Sequence, residues 1–260
     1  MSYEINMFLL QILQQYQARN IDSNVETELK NYIYNWCQKC DPEIFISGSR
    51  AKQTAISLAS DYDYFVSLSS SCNVNQKGIG AISNALHTHL QKKYPTNIRR
   101  QNVSTRINVS GLNIDITAGT KITGYQNYHW LYRSKDDSKK QTNIKKHIDD
   151  ISKSGRANEI KLIKIWRELN GLEFPSIYLE YLLTKKILLN KSTDINNLSD
   201  NIIYIFQELS KDKDNPLYSR IEDPANSTNI LSDLLTEIEK QKIINTASIA
   251  LQSKWDKVFY

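Results

Sequence analysis

No stretch of the 260-residue chain approaches the roughly 18 to 20 consecutive apolar residues that a membrane-spanning helix needs. The first residues, MSYEINMFLLQILQQYQ, lack a basic leader, and glutamines interrupt their apolar run, so they do not read as a secretory signal. Cysteine is scarce: Cys37, Cys40 and Cys72 are all there is. An odd count without a framework argues against a disulfide scaffold. Cys37 and Cys40 form a lone CxxC inside the helix-like run ETELKNYIYNWCQKC, with no second CxxC or Cys/His pair after it. That argues against zinc and leaves two small residues on or near a buried helical face. Nor does charge of one sign dominate. The net +5 permits an anionic partner such as a nucleotide or RNA without requiring one. There is no internal repeat and no low-complexity tract. These absences leave a soluble, cytoplasmic protein, long enough for one large domain or two modest ones.

The hydrophobic pattern changes character along the chain. Two helices open it. The second carries Val25, Leu29, Ile33, Trp36 and Cys40 at spacings of three and four, with Asp22 or Ser23 as its cap. EIFIS (43–47) and DYDYFVSL (61–68) read as strands, and GIGAISNALHTHLQKKY (78–94) reads as a helix. TRINVSGLNIDIT (105–117) alternates with period two around Ser110-Gly111, the pattern of a tight hairpin. From about residue 140 helices are expected over 143–153, 157–170, 176–190, 200–210 and 228–253. The polar run YRSKDDSKKQTN marks the change, giving a mixed domain over 1–135 and a helical domain over 136–260. An α+β protein with its active site in the cleft between such halves is expected.

Three carboxylates stand out. Asp61 and Asp63 are two apart on a strand, so both point to one face, while Tyr62, Tyr64 and Val66 point to the other. Such a pair also occurs on ordinary solvated strand faces, but two adjacent carboxylates repel unless a cation lies near them. Asp115, between Ile114 and Ile116, joins them if its strand lies beside 61–68. Three carboxylates can bracket two Mg²⁺ ions (or Mn²⁺), as in-line nucleotidyl transfer requires. Upstream, Gly48 allows close backbone approach and Ser49 offers a hydroxyl and an N–H to phosphate, with Arg50 and Lys52 adding charge.

GSRAKQTAISLASDYDYFV resembles the GS…DxD signature of the polymerase-beta-type nucleotidyltransferase superfamily, and Asp115 matches its third carboxylate. NEIKLIKIWRELNGLEFPSIYLEYLL (158–183) resembles the helical region of three groups. They are the 2′-5′-oligoadenylate synthases, the bacterial cyclic-oligonucleotide synthases of the cyclic GMP-AMP synthase-like branch, and the archaeal-type CCA-adding enzymes. IEDPANSTN (221–229) resembles a late Asp-Pro…Asn segment of the same proteins. The resemblance implies a polymerase-beta-like palm with a mixed sheet, catalytic and metal-ligating Asp61, Asp63 and Asp115, and nucleotide binding by Gly48, Ser49, Lys164 and Ser176. Lys161 precedes Lys164 by one turn, Ile177 stands where many relatives carry a base-stacking aromatic, and His147 matches a histidine common among them.

The implied activity is metal-dependent transfer of a nucleotide from a nucleoside triphosphate, with release of pyrophosphate. The product is expected to be a cyclic or linear oligonucleotide messenger in bacterial antiphage defence. The alternatives are addition to an RNA or tRNA 3′ end, for which Lys92, Lys93, Arg99 and Arg100 would form a track, and nucleotidylation of a protein hydroxyl. A non-catalytic nucleotide- or RNA-binding protein is the reading from another class, disfavoured because all three acids are kept.

Overall fold

Asp22 fixes where the second helix begins: its Oδ1 accepts the backbone N–H groups of Asn24 (2.8 Å) and Val25 (3.3 Å). In the computed structural model, which describes residues 2–59, 61–72 and 78–260, α1 spans Ser2–Gln15 and α2 spans Ser23–Cys37. Along α2 the expected stripe buries Leu29 and Ile33 fully and Trp36 in part. Among the described residues no helix is long and apolar enough to cross a membrane.

Residues 19–51 and 61–148 form one compact unit. Its strands are β1 (Glu43–Ile46), β2 (Tyr62–Leu68), β3 (Ile98–Arg100), β4 (Thr105–Val109), β5 (Leu112–Lys121), β6 (His129–Arg133) and β7 (Ser138–Thr142). Two helices interrupt them, α3 (Gly48–Ala51) and α4 (Ile79–Lys93). The seven strands make one mixed sheet, β1-β2-β5-β4-β3, with β6 also on β5 and β7 on β6. β2 and β5 run parallel and the other pairs antiparallel. Tyr62, Tyr64 and Val66 bury one face with Ile114, Ile116 and Ala118, against Leu29 and Ile33 of α2 and Ile82, Leu86 and Leu90 of α4. The odd positions, Asp63 among them, therefore share the opposite face. Ser110 (φ 51°) and Gly111 (φ 79°) make the tight turn between β4 and β5, as the sequence predicts.

The other unit comprises residues 1–18, 52–60 and 149–260. After α5 (Ile144–Ser152), its helices are α6 (Ala157–Leu169), α7 (Ser176–Leu182), α8 (Leu198–Leu209), α9 (Glu237–Gln252) and α10 (Trp255–Val258). Trp166, Tyr178, Tyr181, Phe206 and Phe259 are its largest buried anchors, with Leu9 and Ile12 of α1 in the same core. The composition of the chain puts a boundary at 135/136, but that point lies in the turn between the paired strands β6 and β7. The segment SKKQT has no apolar alternation because it is an edge strand, so it reads as a linker.

Two further expectations differ from the structure. The helix expected from 228 begins at Glu237, where Thr236 and Glu239 form a capping box. Before it, β8 (Glu222–Asp223) pairs with β9 (Asn226–Ile230). Buried Asp223 holds this small ribbon by accepting the Ala225 N–H (2.9 Å) and the Asn229 side-chain amide (2.9 Å). The second difference concerns cysteine. Cys40 and Cys72 form a disulfide, while Cys37 is free and buried. The β1–β2 register brings them together: the Ser69 N–H donates to the Cys40 carbonyl (3.0 Å), extending the ladder beyond both strands. A count of three conceals such a pair, since one cysteine is always left over.

Candidate active site

The Gly-Ser turn is built onto Asp63. Just beyond β1, the Ser47 N–H donates to the Asp63 carbonyl (2.7 Å). Gly48 then takes φ +60° and opens α3. A Cβ at this position would lie 1.9 Å from Asp63 Oδ2 and 2.5 Å from Cγ. Only glycine lets the turn close on the carboxylate, and Ser49 follows it, half-buried. The charge of Arg50 goes elsewhere: its guanidinium stacks on the Tyr62 ring (3.6 Å to the centroid) and donates to the Arg19 carbonyl (2.5 Å).

Asp61 precedes β2, Asp63 lies within it, and Asp115 is the register partner of Asp63 on the parallel strand β5. The sequence thus predicts the neighbourhood of the three acids, but not the cation among them. Arg106, opposite Asp115 on β4, donates Nε to Asp115 Oδ1 (2.8 Å) and Nη2 to Oδ2 (2.8 Å), and Nη2 also bonds Asp61 Oδ2. The Gln101 amide adds a bond to Asp115 Oδ1 (3.2 Å). These bonds to Asp115, with the nearby negative charges, raise the Arg106 guanidinium above its ordinary value. Among the described residues no three His, Cys, Asp or Glu side chains are gathered as a metal-binding group. Arg106 lies between Asp61 and Asp115, and the Asp63 carboxylate lies against Gly48. The only sequence signal for Arg106 is its position on the polar face of TRINV.

In the helical unit, Lys164 is neither solvated nor free. It is 2 % exposed and bonded to Glu180 Oε1 (2.6 Å) and to the Thr54 hydroxyl (2.9 Å). Lys52 takes the other Glu180 oxygen (2.8 Å). Burial lowers the Lys164 ammonium from its ordinary value, with Glu180 opposing. Burial pushes the Glu180 carboxyl up, but Lys52 and Lys164 more than offset this and hold it at about 2. Lys161, one turn earlier, is half-buried and makes no ion pair with a described residue, and burial lowers its pKa. Ser176 opens α7 and its hydroxyl accepts from Arg167 (2.9 Å). Tyr178 belongs to the core, donating its hydroxyl to the Leu217 carbonyl (2.9 Å), and Ile177 packs beside it.

The other residues singled out in the sequence are dispersed. His147 is buried. Lys93 is paired with Glu28 (2.6 Å), and Arg100 donates to Asn84 (2.7 Å), while Lys92 and Arg99 are exposed. Lys92 and Lys93 end α4, whereas Arg99 and Arg100 lie on β3.

No protein-family model matches the chain, and no curated protein matches it. Solved structures do. CdnC of E. coli MS115-1, determined with ATP, superposes with a TM-score of 0.71 at 22% identity, covering 95% of this chain and 90% of that one. The CD-NTase CdnG of Bradyrhizobium diazoefficiens, in complex with GTP, gives 0.68 at 12% identity over 88% and 83% of the two chains. The cyclic dinucleotide synthase CdnE of Elizabethkingia meningoseptica, with GTP and Apcpp, gives 0.61 at 13% identity over 98% and 99%. The mixed sheet followed in the chain by a helical region is the polymerase-beta-like fold shared with these solved structures.

Proposed function

We propose that the protein is a metal-dependent nucleotidyltransferase that joins nucleoside triphosphates into a cyclic or linear oligonucleotide and releases pyrophosphate. The observation that carries this reading is the seating of Gly48 against Asp63 with Asp115 in register beside it. A turn that has no room for a side chain lets its backbone approach phosphate oxygens next to paired carboxylates, and Ser49 would add its hydroxyl as a contact. The three acids suit a hard divalent cation, and the place between Asp61 and Asp115 already receives a cationic group, the Arg106 guanidinium. Asp61, Asp63 and Asp115 would hold two Mg²⁺ or Mn²⁺ ions, which when bound neutralise phosphate charge and make the attacking hydroxyl more acidic.

The reaction is an in-line substitution. The hydroxyl oxygen bonds to the α-phosphorus, the bond from that phosphorus to the bridging oxygen breaks, and pyrophosphate leaves. Asp115 orients the hydroxyl and receives its proton. The chain contributes mainly position and charge. Lys164 and Ser176 are part of the proposal as phosphate contacts, and Lys161 is the α6 lysine that needs no ion pair broken. A cytoplasmic role in bacterial antiphage signalling belongs to the same reading.

The experiment is incubation with labelled nucleoside triphosphates and Mg²⁺, with and without tRNA, for the wild type and Asp61→Asn. A phosphatase-resistant product that forms without RNA and disappears in Asp61→Asn is the expected result. Label transferred to tRNA, or to a protein hydroxyl, overturns the messenger assignment.

A further inference from the structure

Arg106 uses the same lone pairs that a metal ion would need. Its fork covers both oxygens of Asp115, and the same Nη2 reaches Asp61. The Asp115 side chain is 15 % exposed and that of Arg106 22 %, so solvent screens the fork only in part. A guanidinium held by paired strands cannot share those oxygens with a divalent ion at the same time, because the two cations would repel and compete for the same acceptors. What can draw the fork away is another planar array of anionic oxygens, and a phosphate group provides one that guanidinium binds bidentately.

From this geometry we infer that Arg106 is an exchangeable counter-cation which makes metal loading of Asp61 and Asp115 depend on nucleotide. It lowers the metal affinity of the free protein. An incoming triphosphate takes the guanidinium and releases the carboxylates. Arg106 is thus a positioning residue for the proposed reaction, and the inference rests on the metal-dependent reading above. Its sign is counterintuitive for a residue that touches two of the acids: removing it strengthens metal binding.

The test is Mn²⁺ titration followed by electron paramagnetic resonance of the free ion, first without nucleotide and then with a saturating non-hydrolysable triphosphate. Releasing one of the three charge-assisted hydrogen bonds corresponds to a change of roughly tenfold or more. Arg106→Gln is expected to bind Mn²⁺ at least about tenfold more tightly than the wild type without nucleotide. With nucleotide the difference is expected to shrink severalfold. Equal or weaker binding by the folded variant overturns the inference. If Arg106→Gln melts below the assay temperature, Arg106→Lys decides. It keeps the charge without the fork, so a gain in affinity supports the inference and no gain overturns it. If neither protein binds Mn²⁺ even with nucleotide, the metal-dependent reading itself fails, an outcome distinct from equal binding.

Discussion

Replacing Glu180 by glutamine leaves two lysines facing an amide in a site that is almost fully buried. In the native protein Oε1 accepts from Lys164 (2.6 Å) and the Thr54 hydroxyl (3.0 Å), and Oε2 accepts from Lys52 (2.8 Å). Glutamine keeps one acceptor and turns an N–H donor towards one of the ammonium groups. Breaking a buried ion pair by removing one partner costs about 3–5 kcal/mol, because the other charge is left without compensation. The direction agrees: Lys52 and Lys164 hold the Glu180 carboxyl below its ordinary value despite its burial, while burial of Lys164 opposes part of the gain. The sign follows from the lowered folded value: this contribution is complete above pH 4.5 and is lost as pH falls towards 2. Melting curves followed by circular dichroism should place Glu180→Gln about 10 °C below the wild type at pH 7, given roughly 2–4 °C per kcal/mol in a chain of this size. The variant should also lose part of the acid limb of the stability curve. Glu180→Leu combined with Lys52→Met and Lys164→Met should recover much of the loss, since apolar replacement of all the paired charges is often close to neutral. A shift under about 2 °C, or additive losses in the triple variant, would refute the account of this network.

Two further outcomes follow from the same geometry. Gly48→Ala puts a Cβ into the Asp63 carboxylate and forces a non-glycine residue to φ +60°. The backbone should cost about 1–2 kcal/mol, and displacement of Asp63 should lower nucleotide turnover about a hundredfold. Turnover near the wild-type level would show that Asp63 is not held by this turn. Lys161→Ala and Lys164→Met separate binding from stability on α6. The first should raise the apparent KM for nucleoside triphosphate at an unchanged melting temperature, and the second should lower the melting temperature by an amount comparable to Glu180→Gln. A raised KM in Lys164→Met alone would leave Lys161 with no part in phosphate binding.

The sequence reveals elements where one residue type has one job. Asp22 or Ser23 before a polar-apolar stripe reads as a cap, and Ser110-Gly111 between two period-two runs reads as a turn. That Asp115 and Asp63 each sit opposite a buried face is legible in the alternation, but their closeness depends on the β2–β5 pairing, which the sequence leaves conditional. Where a residue's role depends on a partner far along the chain, the pattern is silent. Lys164 sits in a helix whose Leu162, Ile163, Ile165 and Trp166 are all buried, so no exposed face remains from which to read its environment. Glu180, which makes its burial tolerable, lies one helix later. Arg106 looks like an ordinary polar position on a hairpin until the β4–β5 register sets it across from Asp115. β7 escapes notice because an edge strand such as SKKQT needs no apolar face, and β6 buries only His129 and Leu131.

Several basic residues of each unit are already bonded: Arg50 and Arg106 in the sheet unit, Lys52 and Lys164 in the helical one. A triphosphate therefore does not simply add contacts to such residues. Wherever it engages one of them it exchanges one charge-assisted bond for another, and the net gain is the difference between them. Residues arranged this way contribute little to raw affinity and much to selectivity, because a ligand with less charge than a triphosphate cannot repay the bond it breaks. The mild net charge of +5 fits that division of labour. It draws anions from a distance without holding them.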